Sequence, residues 1–108
     1  VRMDGRIHQQ GRAERDRRAT APDRELRRAL RAVYFAVAAL RHAPRSPQVS
    51  RAISEASTAV ATLPGGFVAE ALYRLIGTIE DCHRAGTANS TRLDERWRTA
   101  TAAVRLAG

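Results

Sequence analysis

The chain has 108 residues, 44% of them hydrophobic and 28% charged, which is enough for one core and leaves no room for a second autonomous domain. Its formal charge is +8 and all 19 basic residues are Arg, a permanently charged side chain that forks onto phosphates, so polyanions are favoured over a membrane as partners. A single cysteine, Cys82, excludes an intrachain disulfide framework, and the longest apolar run, Ala32 to Leu40, is too short for a membrane span.

Residues 1–21 hold six Arg against Asp4, Glu14 and Asp16, with little beyond Ile7 to build a core. The expectation is a flexible, basic N-terminal arm, with Arg12, Arg15, Arg17 and Arg18 as its charged stretch. It has positive charge but no apolar stretch behind it, so no secretory signal is expected. With one free cysteine, this points to the cytoplasm.

The pattern changes at Thr20. Thr20, Pro22 and Asp23 read as a helix start, and Leu26, Leu30, Val33, Val37 and Leu40 then recur at helical spacing. The predicted first helix covers about 22–43 and ends in "APRSP". Ser46 and Pro47 open a second helix, about 47–63, with the stripe Val49, Ile53, Ala56, Val60 and Leu63.

"LPGG" breaks the chain before a third helix, about 66–85, striped by Val68, Leu72, Leu75, Ile79 and Cys82 and stopped by Gly86. Thr91 and Asp94 fit a capping box for a fourth helix, about 91–107, striped by Leu93, Trp97, Ala100, Val104 and Ala107. Four segments of one period joined by short polar links predict an all-α, antiparallel four-helix bundle over 22–108. Alanine at stripe positions and the Ser- and Thr-rich second helix predict marginal stability, completed by self-association or another subunit.

The first helix has two faces. At about 100° per residue its large aliphatics lie within roughly 40° of a common line. Arg24, Arg27, Arg28, Arg31, His42 and Phe35 point away from that line, and Tyr34 sits at the boundary. The bland explanation is an amphipathic helix from an arginine-rich proteome. The functional one is a phosphate-contacting surface on which Phe35 stacks on an unpaired base, pairs with Arg31, or packs on a neighbouring subunit. Elsewhere the charges are expected to pair locally, Glu70 with Arg74, Glu80 with Arg84 and Asp94 with Arg98.

Catalytic and metal chemistry has little support. Cys82 and His83 lack the further ligands that zinc needs, and Cys82 has no visible base, so it reads as a core residue. His83 reads as a last-turn charge. "LPGGF" at a helix start lacks the pattern of a phosphate loop and reads as a turn. Trp97 reads as core. No cofactor, metal or small-molecule substrate is expected, and the chain is not expected to be an enzyme.

Arg24, Arg27, Arg28 and Arg31 on the first helix, with Arg92, Arg96, Arg98 and Arg105 on the last, make this small basic bundle resemble the small helical subunits of multisubunit CRISPR ribonucleoprotein effectors. The resemblance is architectural, spans 22–108 and rests on no diagnostic motif; the acidic residues of the third helix depart from it. It implies a non-enzymatic subunit that stacks along RNA or single-stranded DNA beside other subunits or copies of itself, with arginines on backbone phosphates. The competing expectation is a protein-interaction or adaptor module whose basic face binds an acidic partner. A sequence-specific DNA binder ranks third, because the helix after "APRSP" offers only Arg51 to read bases.

Overall fold

The computed structural model describes residues 24–107. The expected arm with Arg12, Arg15, Arg17 and Arg18, and the Thr20, Pro22 and Asp23 helix start, lie outside the described residues. Within these, the chain is all-α: α1 over residues 24–42, α2 over Pro47–Ala61, α3 over Phe67–Ala85 and α4 over Thr91–Ala107.

Local chemistry sets the helix ends. The Ser46 hydroxyl accepts from the Gln48 N–H at 3.2 Å, and Pro47 takes the first helical position, where a missing N–H costs nothing. The second helix stops at Ala61 and not at Leu63. Leu63 precedes Pro64, whose ring disfavours helical backbone one residue earlier, and the Thr62 hydroxyl donates back to the Ala59 carbonyl at 2.7 Å.

Gly86 closes α3 in the left-handed region (φ 70°), and the N–H groups of Gly86 and Thr87 satisfy the carbonyls of His83 and Cys82. The guanidinium of Arg45 lies directly over Gly86, where any Cβ would displace it, and puts positive charge beside the carbonyl end of α3. At the start of α4 the capping box is not formed. Ser90, and not Thr91, is the cap, accepting from the Leu93 N–H at 3.2 Å.

The core follows the apolar stripes and is broader than they are. Val33, Val37, Leu40, Val49, Ile53, Val60, Leu72, Leu75, Ile79 and Leu93 are buried as their spacing predicts, and Cys82 is buried with them. Nine of the 21 buried hydrophobic residues among those described are alanine, so the backbones can approach closely while each contact removes little apolar area from water. Trp97 and Val104 are only partly buried, and Ala107 is exposed.

Side-chain contacts give the arrangement of the helices. Ser50 in the first turn of α2 meets His83 in the last turn of α3, while residues 62–66 join their other ends, so these helices run in opposite directions. Arg41 reaches Asp94 near one end of α1 and α4, and Leu26 and Ala107 line one groove at the other end, so this pair is also antiparallel. The fourth helix also packs on α3, with which it lines a groove, so it lies between α1 and α3, and this position decides where its arginines point.

Candidate nucleic-acid interface

Arg24, Arg27, Arg28 and Arg31 are exposed on α1, opposite its buried residues. None forms an ion pair among the described residues. Tyr34 and Phe35 follow them, 63% and 61% exposed, which is high for aromatic side chains that a larger core would absorb. Leu30, Arg31, Tyr34, Phe35 and Ala38 line a shallow, mostly apolar trough along the helix, with Arg31 as its charged member.

This surface continues onto α4. Tyr34 packs edge-on against Trp97, with ring centroids 5.1 Å apart and an interplanar angle of 72°, the geometry that ring quadrupoles favour. Trp97 is thus a bracket between α1 and α4, half in the core and half in the surface. Among the described residues, Phe35 forms no such ring pair and no cation–π pair with Arg31, so its face is free.

Arg98 and Arg105 are both exposed and lie seven residues apart, on one face of α4. Because Asp94 and Trp97 on α4 both reach α1, Arg98 and Arg105 fall on the flank leaning towards α1. In the antiparallel register, Arg105 stands level with the first turns of α1, and Arg98 stands near Tyr34.

Not all the expected residues converge. Arg28 turns towards α2, where it shares a depression with Glu55, Thr58 and Thr62, apart from the aromatic trough. Arg92 and Arg96 face α3 and so leave this surface. The candidate surface that the fold brings together is Arg24, Arg27 and Arg31 with Tyr34 and Phe35 from α1, and Arg98 and Arg105 from α4.

The charge pairing differs from the i, i+4 expectation. Asp94 pairs with Arg41 of α1 at 3.8 Å instead of with Arg98, and Arg84 pairs with Asp81 at 3.2 Å instead of with Glu80. No Glu70–Arg74 pair forms among the described residues. Helical spacing brings two side chains within reach but does not fix their rotamers, and exposed pairs of this kind contribute only about 0–1 kcal/mol. The consequence is that Arg74 and Arg98 have no ion-pair partner among the described residues.

His83 stands in the last turn of α3 as expected, half-buried and bonded at both ring nitrogens, to the Pro44 carbonyl at 2.6 Å and the Ser50 hydroxyl at 3.0 Å. It belongs to the framework. No helix among the described residues is long and apolar enough to cross a membrane. Comparison of the chain with protein-family models, curated proteins and solved structures finds no match.

Proposed function

We propose that the chain is a non-enzymatic, nucleic-acid-associated assembly subunit whose α1–α4 surface holds the backbone of single-stranded RNA or DNA in the cytoplasm. The observation that carries this reading is the interleaving on α1 of exposed guanidiniums, which form no ion pair among the described residues, with two exposed aromatics. A backbone contact needs fixed positive charge, which Arg24, Arg27, Arg31, Arg98 and Arg105 supply. An unpaired base needs a flat apolar face, which Phe35 supplies.

Phosphate contacts position a strand without reading it, so binding on this account shows little sequence preference. A subunit that stacks on copies of itself or on other subunits along a guide RNA, as in the CRISPR effector complexes that the bundle resembles, is one form of this function. The alanine-rich core, in which each contact buries little apolar area, supports a place in an assembly.

The apolar trough of Leu30, Tyr34, Phe35 and Ala38 favours a second reading, an acidic, amphipathic partner helix docked on the same face. Charge reversal separates the two. Arg27→Glu with Arg31→Glu is expected to abolish binding of a fluorescent 20-nucleotide oligouridylate while leaving helical content intact. Unchanged oligonucleotide binding with loss of a co-purifying acidic protein would sink the first reading in favour of the second.

A further inference from the structure

The flank of α4 that turns away from α1 carries a second concentration of positive charge. Arg92 and Arg96, four residues apart on α4, face Arg74 and Arg84 on α3 across one open groove of about 310 Å³, with Gly77 also lining it. The groove holds two carboxylates, Asp81 and Glu80. Asp81 is engaged by Arg84 at 3.2 Å, whereas Arg74, Arg92 and Arg96 have no ion-pair partner among the described residues. Arg96 is also half-buried as a residue, which holds its side chain against the groove.

Gly77 is a second, independent observation. It sits in the middle of α3, where glycine weakens a helix relative to alanine. Packing does not demand it, because a Cβ at this position would meet nothing within 4 Å. What glycine provides is an open stretch of groove wall where a ligand can come close to the helix backbone.

We infer that the α3–α4 groove is a phosphate-binding site, separate from the α1–α4 surface and independent of the reading given to that surface. Four guanidiniums against two carboxylates leave a surplus of two positive charges, which matches the charge of about −1.5 to −2 on a phosphomonoester near neutral pH. Guanidiniums arriving from two helices suit a tetrahedral anion with several acceptor oxygens better than a planar carboxylate, which a single fork satisfies. The phosphate comes either from a free phosphorylated compound or from a nucleic-acid backbone crossing α4 from the first surface.

The test is calorimetric titration of the full chain with inorganic pyrophosphate, and separately with an unphosphorylated 12-nucleotide oligothymidylate. Two variants disable the groove by different means. Gly77→Leu fills it while keeping every charge and improving helix propensity, and Arg92→Gln with Arg96→Gln removes charge. A control, Arg51→Gln, removes a charge from the exposed face of α2, away from both surfaces. Both groove variants are expected to weaken pyrophosphate binding at least tenfold and the control to leave it within twofold.

If oligothymidylate binding also weakens in Gly77→Leu, the phosphate is that of a strand. If it does not, the site takes free phosphorylated compounds, and either outcome upholds the groove. The inference is overturned if pyrophosphate does not bind, or if the Arg51→Gln control weakens it as much as the groove variants, or if Gly77→Leu leaves pyrophosphate binding unchanged.

Discussion

The imidazole of His83 donates from Nδ1 to the backbone carbonyl of Pro44, 39 residues away in the chain, at 2.6 Å. A carbonyl oxygen only accepts, so Nδ1 carries a proton, and Nε2 meets the Ser50 hydroxyl, which can fill either role, at 3.0 Å. The last turn of α3 is thereby pinned to both the α1–α2 link and the first turn of α2.

His83→Ala leaves the Pro44 carbonyl in a partly buried position without its partner, at a cost of about 1–3 kcal/mol. For a domain of this size, each 1 kcal/mol lowers the melting temperature by roughly 4–8 °C. Ser50→Ala, which removes only the exposed bond, is expected to cost less than about 1 kcal/mol. Thermal unfolding of both variants by circular dichroism checks the order. Equal and negligible shifts would mean that the clamp contributes nothing.

Leu75 is wholly buried among the helices, while Leu106 is 82% exposed. Leu75→Ala is expected to cost about 2–5 kcal/mol through lost burial and the cavity left behind. That is a large share of the roughly 5–15 kcal/mol that holds a domain together. Leu106→Ala should change stability by no more than about 0.5 kcal/mol. Urea unfolding distinguishes the two, and similar midpoints would show that the core is not organised as described.

These contrasts also show what the sequence alone can reveal. The period of 3.6 residues is a property of each helix by itself, so the burial of Val33, Leu72 and Ile79 and the outward position of Arg31 and Phe35 were legible before any coordinates. What depends on which helix lies beside which was not. Spacing matches Asp94 to Arg98, but α1 brings Arg41 to it. Arg74 and Arg84 belong with Arg92 and Arg96 only once α3 and α4 are set side by side. The His83–Pro44 bond and the bracket between Tyr34 and Trp97 are likewise matters of register between elements, for which a single stripe carries no signal.

Trp97 is the only tryptophan in the chain and touches Tyr34 at the edge of the α1–α4 surface. Its emission should therefore change when oligouridylate binds and stay constant when pyrophosphate enters the α3–α4 groove. In the same titration, Phe35→Ala is expected to weaken oligouridylate binding by about 1–3 kcal/mol, the contribution of one stacked base. Its melting temperature should hold, because the ring is exposed. A stability loss without an affinity loss would assign Phe35 to packing instead.

The salt dependence of strand binding tests the central claim most directly. Oligouridylate affinity of the full chain, measured by fluorescence anisotropy between 50 and 300 mM salt (the chosen experimental range, roughly that over which such contacts weaken), gives a log–log slope of about −0.7 for each phosphate engaged on a single strand. With five arginines on the α1–α4 surface, the account predicts a slope of roughly −3 to −4, made shallower by about 1.4 when Arg27 and Arg31 are both changed to Gln. A flat salt response, or no binding to either RNA or single-stranded DNA at the lowest salt, would contradict it.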